Sequence, residues 1–190
     1  MTDAFALLDE PRRPWLDPDA LKEKFHKLSA AHHPDVAKED GVDFSGINAA
    51  YRMLDDPKSR LRHLLELEFP AALSRNLQIP PDITRLFETM TRERHGVATY
   101  LEKRAAVQTP LEVALLAPEK HEILRVLDQL LDVLVKKQEG IFTQLKFVDA
   151  VWEQDKAGSL DTLLEIYQSL SYVGKWLGQV REDLMCLRES

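Results

Sequence analysis

Hydrophobic residues that recur every three or four positions divide the first part of the chain into helices separated by prolines. The segment "LDPDALKEKFHKLSAAHH" has lysines on one face, and on the opposite face Leu21, Phe25, Leu28 and His32. Asp17 is a favourable N-cap and Pro18 suits the first helical position. Because proline lacks an N–H and disfavours helix at the residue before it, we expect this helix to end before Pro34.

The same spacing predicts a second helix after an acidic, glycine-containing loop. The segment "FSGINAAYRMLDD" has an apolar stripe made by Phe44, Ile47, Ala50, Tyr51 and Leu54. A further helix follows Pro57 and continues to Pro70, and a short apolar segment at Ala4 to Leu8 predicts an N-terminal helix. The two helices that flank the loop at Pro34 are expected to form an antiparallel hairpin.

The rest of the chain predicts a three-helix bundle. The segment 71–81 has two prolines and no periodicity, so we take 1–70 as one domain, 71–81 as a linker and 82–190 as a helical bundle. Helices are predicted over 82–104, 118–152 and 159–187, with Ser159 as the last N-cap and "TPLEVALLAPE" and "EQDKAGS" as connections. Within the first connection, "LEVALLA" could form an extra turn. The predicted fold class is all-α.

Composition narrows the class of protein. Hydrophobic and charged fractions of 44% and 30% are ordinary for a globular protein, and only seven glycines interrupt the helix formers. A net charge of −7 disfavours nucleic acid as a partner, and no apolar run approaches the roughly 20 residues that span a bilayer. The acidic start resembles neither a secretory signal nor a transit peptide, and Cys186 is the lone cysteine. We therefore expect a cytoplasmic protein, with Cys186 half-buried and inert.

The histidines suggest a metal or acid–base site only superficially. His32, His33 and Asp35 are close in sequence, but adjacent histidines on a helix end point apart, and no cysteine or carboxylate cluster completes a metal shell. Nucleophile signatures and Gly-rich phosphate loops are also lacking. We expect no catalytic residue, no metal and no cofactor. His63, His95 and His121 are predicted to be surface residues of helices.

Placed between two such helices, the tripeptide His33-Pro34-Asp35 resembles the centre of a J-domain. The flanks also resemble the J-domain of DnaJ-type co-chaperones, in Phe25 and Leu28 before the tripeptide and in "INAAYRMLDDPKSR" after it. The start "AFALLDEPRRPWLDPDALKEKF" and the Leu-rich helix up to "HLLEL" are more similar to the HscB-type co-chaperones of iron–sulfur cluster assembly.

The resemblance implies that the chain docks on a DnaK/HscA-type chaperone and stimulates its ATPase. The residues implied in docking are the loop trio His33, Pro34 and Asp35 and the helix lysines Lys22, Lys24 and Lys27. These residue types suit that role: a carboxylate at a loop tip can accept a bidentate pair of bonds from an arginine, and proline reduces the order lost on binding. Lysines add attraction and association rate.

The resemblance also implies a client site on the bundle for an IscU-type scaffold protein. The implied apolar residues are Leu86, Phe87, Met90 and Tyr172, whereas Thr91 and Arg94 stand where acidic residues are expected. Two alternatives stay open. The bundle could hold a different client in a specialised J-domain protein, or the whole chain could be a helical adaptor with a decayed J-domain.

Overall fold

The computed structural model describes residues 2–31, 44–74 and 79–189. Within those ranges the chain forms seven α-helices, one short 3₁₀ turn at Ala72–Ser74 and no strand, so the all-α prediction is confirmed. The helices are α1 (Ala4–Leu7), α2 (Pro18–Ala31), α3 (Phe44–Asp55), α4 (Pro57–Glu68), α5 (Pro81–Ala106), α6 (Pro110–Val151) and α7 (Lys156–Glu189).

Aspartate caps start α2 and α4, and that of α2 is the predicted Asp17. The side chain of Asp17 accepts hydrogen bonds from the backbone N–H groups of Asp19 and Ala20, at 3.1 and 2.9 Å. Asp56 does the same for Ser59 at 2.9 Å, with Pro57 at the first position of α4. Each cap satisfies N–H groups that have no partner inside the helix.

The starts of α6 and α7 differ from the predicted ones. Helix α6 begins at Pro110 rather than Pro118, because Thr109 and Glu112 form a capping box: Thr109 N donates to Glu112 Oε2 at 3.0 Å, and Glu112 N donates to Thr109 Oγ1 at 3.3 Å. Pro118 lies inside the helix. Helix α7 is capped by Asp155 rather than Ser159, since Asp155 Oδ1 accepts from Gly158 N at 2.8 Å.

Contacts divide the chain into two compact units. The first unit consists of Met1–Leu77 and Thr143–Tyr167, and the second of Gln78–Phe142 and Gln168–Ser190. Helices α6 and α7 therefore contribute residues to both units.

In the first unit, Asp149 ties the end of α6 to the segment between α1 and α2. Asp149 is 8% exposed and accepts from Arg13 Nε at 2.9 Å and from the backbone N–H of Trp15 at 3.0 Å. Trp152 is fully buried and donates from its indole nitrogen to the carbonyl of Arg12 at 2.8 Å. Nearby, the rings of Phe25 on α2 and Tyr51 on α3 stack at 4.2 Å. The contacts of Asp149 and Trp152 hold the segment before α2 in place, and the contact between Phe25 and Tyr51 packs α2 against α3.

His63 is the main error among the predicted surface residues. It is 1% exposed, its Nε2 accepts from Ala4 N at 3.0 Å, and its ring stacks on Phe5 at 5.7 Å. Helix α1 covers it, which the helical pattern of α4 alone does not reveal. His95 and His121 are exposed as predicted, and Cys186 is exposed rather than half-buried.

The second unit is a three-helix bundle formed by α5 and by parts of α6 and α7. Helices α5 and α6 run antiparallel, because Asp82 pairs with Lys137 and Lys103 pairs with Glu119. Helices α5 and α7 run parallel, because Phe87 and Trp176 face each other and, further along both helices, Arg94 pairs with Asp183. The α6 positions buried in this core include Leu127, Leu130, Leu134 and Ile141.

Candidate docking surfaces

The exposed face of α2 has lysines in two different settings. Lys22 and Lys27 are exposed, and Lys27 Nζ lies 3.9 Å from the carboxylate of Glu23. Lys24 is half-buried and its Nζ lies 2.9 Å from Glu10, a carboxylate with 14% side-chain exposure. The charge of Lys24 is therefore partly neutralised within the chain. The predicted contact residues His33, Pro34 and Asp35 lie outside the described residues.

A small apolar pocket opens at the start of α5, in the second unit. Its volume is about 130 Å³, and its lining residues are Ile79, Ile83, Thr84, Phe87 and Tyr172. Phe87 is 55% exposed and Ile79 is 47% exposed, so two large apolar side chains meet solvent at this place. A pocket walled by aliphatic and aromatic groups can accept one apolar side chain of a partner.

A second pocket continues from the first along α5 and α7. It measures about 300 Å³ and its lining residues are Phe87, Met90, Thr91, Arg94, Lys175, Trp176 and Gln179. The rings of Phe87 and Tyr172 lie 6.4 and 5.6 Å from that of Trp176, so the three aromatic rings form one cluster. Since Phe87 lines both pockets, we refer to the residues of the two together as the Phe87 groove.

The groove brings together part of the predicted client site. Phe87 and Tyr172 line the same pocket, and Met90, only 2% exposed, contributes to the floor of the other. Leu86 is half-buried and is not among the lining residues of either pocket.

The sequence reasoning missed the α7 wall of the groove, namely Lys175, Trp176 and Gln179. The signal was present, because these residues follow Tyr172 by three, four and seven positions and so share its helix face. Ile79 and Ile83 were missed because they lie at the junction between the expected linker and α5.

The charged side chains that line the groove are cationic. Arg94 Nε bonds to Asp183 at 3.3 Å, and Lys175 is exposed. Burial raises the pKa of Asp183, and Arg94 opposes that rise. Asp183 does not line either pocket, and none of the residues lining the two pockets is acidic.

The described ranges lack two other kinds of feature. These residues contain no group of three or more His, Cys, Asp and Glu side chains arranged to hold a metal ion. No helix there is both long enough and apolar enough to cross a membrane.

Comparison with known proteins finds a family match in the N-terminal part of the chain. Residues 5–63 match the DnaJ domain family. The chain is 47% identical over 49 residues to the chaperone protein DnaJ of Acaryochloris marina, and 36% identical over 52 residues to the J-type co-chaperone JAC1, mitochondrial, of Saccharomyces cerevisiae. These alignments cover 25% and 27% of this chain and only 13% and 28% of the two relatives.

The fold of the whole chain has a counterpart among solved structures. The chaperone HscB from Vibrio cholerae superposes with a TM-score of 0.52 over 95% of this chain and 96% of that one, at 18% sequence identity. At this identity the match concerns the fold. A J-domain match followed by that fold agrees with the predicted arrangement: residues 5–63 carry a DnaJ domain, and the chain as a whole has the fold of the chaperone HscB.

Proposed function

We propose that this protein is a co-chaperone that docks on the nucleotide-binding domain of a DnaK/HscA-type chaperone and stimulates its ATPase. The observation that carries the proposal is the J-domain match over residues 5–63, which includes His33-Pro34-Asp35 and α2. Lys22 and Lys27 face solvent on α2 and supply attraction toward an acidic groove of the partner. In this role the protein regulates catalysis by its partner and performs none itself.

Steady-state ATPase of the chaperone tests this docking. We expect wild type to stimulate hydrolysis and His33→Gln to abolish the stimulation, because the imidazole of the His33-Pro34-Asp35 motif is removed. The matched control is His121→Gln, since His121 is exposed on α6 and far in sequence from the J-domain. Equal stimulation by wild type and His33→Gln would refute the proposal and favour an adaptor with a decayed J-domain.

The client is proposed to bind in the Phe87 groove, and an IscU-type iron–sulfur scaffold is the first candidate. This assignment rests on the HscB-type fold and on an exposed apolar pocket at the expected place. In a pull-down with the scaffold, Phe87→Ala should lose binding. Val133→Ala is the control, because Val133 is 50% exposed in the same unit and lines neither pocket.

A second candidate keeps the chaperone docking and changes the client. The observation in its favour is the charge of the groove, where Arg94 and Lys175 are the charged lining residues. Stimulation of the chaperone without any capture of the scaffold by wild type would support this specialised J-domain protein.

A further inference from the structure

The Phe87 groove has an apolar pocket and two cationic side chains, whose places along the helices are defined. Ile83, Phe87 and Tyr172 line the apolar pocket. Lys175 lies on α7 next to Trp176, whose ring faces Phe87, and Arg94 lies further along α5. Phe87 and Arg94 are seven residues apart on α5, which corresponds to about 10 Å along the helix axis. A ligand that fills the groove therefore meets the apolar pocket and Lys175 at one level, and Arg94 about two helical turns further along.

Both cations have donors available to a ligand. Arg94 bonds to Asp183 through Nε, and a guanidinium has four further N–H groups. The Arg94 side chain is 46% exposed, so those groups can reach a ligand. Lys175 is exposed on the opposite wall, on α7. A carboxylate beside either cation would receive charge-assisted hydrogen bonds from it.

The net negative charge of the whole chain repels an acidic ligand at long range, so attraction of such a ligand depends on the local charges of the groove. The chain has a net charge of −7, yet the charged side chains lining the groove are both positive. A basic ligand would be placed against like charges here, an arrangement that costs affinity and selects against it. The selectivity must therefore come from these two side chains at short range.

We propose that the Phe87 groove binds a segment of a client protein that presents one apolar side chain, one carboxylate close to it and, in helical form, another carboxylate about seven residues away. This inference rests on the proposed function only in taking the groove as the client site. The apolar side chain enters the pocket of Ile79, Ile83 and Phe87. The nearer carboxylate meets Lys175, and the more distant one meets Arg94.

Two synthetic helical peptides test the inference by fluorescence anisotropy with the full chain. Both carry one phenylalanine anchor. The neighbouring positions on its helix face, and the positions seven residues to either side, hold glutamates in one peptide and lysines in the other. We expect the glutamate peptide to bind about tenfold more tightly at low salt, with the difference shrinking as salt is added. Lys175→Glu should reverse the preference, and Lys175→Gln should reduce it.

The control variant is Lys136→Glu, which makes the same charge change at an exposed lysine of the second unit that lines neither pocket. It should leave both affinities unchanged. Equal binding of the two peptides, binding of neither, or the same response to Lys136→Glu as to Lys175→Glu would each overturn the inference. A failure of ATPase stimulation would leave these affinities unaffected, so the two proposals fail separately.

Discussion

The two units place their charged side chains differently. In the first unit Arg60, His63 and Asp149 are buried, at 2%, 1% and 8% exposure. In the described part of the second unit no Asp, Glu, His, Lys or Arg is buried to that extent. Its interior consists of apolar and aromatic side chains at helical spacing, with Ser169 also buried at 7% exposure. A buried polar group needs a partner with defined geometry, whereas an apolar core accepts many residues of suitable volume. The first unit should therefore respond sharply to particular polar substitutions, and the second to loss of volume.

The largest effect is expected from Arg60→Ala. Arg60 Nε donates to the carbonyl of Pro14 at 3.2 Å and Nη1 to that of Leu54 at 2.5 Å, and its guanidinium lies 5.8 Å from the centre of the Trp15 ring. Burial lowers the pKa of Arg60 to about 10, which still leaves it charged at neutral pH. Its loss leaves two carbonyls without donors and a cavity, so the free energy of unfolding should fall by about 3 kcal/mol in urea titrations.

Arg62→Ala is the matched control for that experiment, two residues away on the same helix. Arg62 is exposed and pairs only with Glu66, one turn along α4, at 2.8 Å. An exposed pair of this kind contributes about 0.3 kcal/mol. Similar losses from the two variants would contradict the distinction between buried and exposed arginines in the first unit.

In the second unit, truncation of a side chain to alanine should lower stability much more in the core than in the Phe87 groove. Met90 is 2% exposed, so Met90→Ala should lower the free energy of unfolding by about 2–3 kcal/mol. Phe87 is 55% exposed, and Phe87→Ala should cost less than about 1 kcal/mol while abolishing binding of the glutamate peptide. A large stability loss from Phe87→Ala would mean that Phe87 belongs to the core rather than to a binding surface.

His63 should make the stability of the first unit depend on pH. Burial lowers the pKa of His63, the neighbouring Asp3 and Glu66 oppose the shift, and Arg12 adds to it. As the pH falls below about 6.5, the unfolded chain takes up a proton that the folded chain does not, so the free energy of unfolding decreases. The slope cannot exceed about 1.4 kcal/mol per pH unit for one group.

Urea titrations between pH 7 and pH 5 measure this slope. His63→Gln should flatten it, and His121→Gln should keep it, because His121 is exposed. The acid titration of Asp3 lies lower. Burial raises its pKa, but hydrogen bonds from Arg12 and the backbone outweigh that effect and leave it below the ordinary value of 3.8. An unchanged slope in His63→Gln would show that another group carries the pH dependence.

What the sequence predicts correctly is local, and what it misses depends on contacts between distant segments. Asp17 is a local cap, and the sequence predicts it correctly. The burial of His63 depends on α1, 59 residues away along the chain, so no local pattern indicates it. The sequence prediction starts a helix at Pro118, whereas the capping box of Thr109 and Glu112 starts it at Pro110, and the helix continues through Pro118.

For the candidate sites, the sequence indicates which residue types are involved, but not which side chains contact each other in the fold. Lys24 has the same sequence context as Lys22 and Lys27, and only the fold brings Glu10 to it. The sequence predicts Tyr172 as a site residue. That Lys175 and Trp176 line the same groove follows only from the packing of α7 beside α5.

The smallest effect concerns the lysines of α2, and it tests whether exposure decides their role in docking. The double variant Lys22→Ala and Lys27→Ala should slow association with the chaperone several-fold at low salt, and leave stability unchanged, because both side chains face solvent. Lys24→Ala should instead cost about 0.5 kcal/mol of stability, since it loses the pair with Glu10, and should alter association less. Stopped-flow mixing at two salt concentrations measures the rates. If Lys24→Ala slows association as much as the double variant, then the pair with Glu10 opens on docking and all three lysines act together.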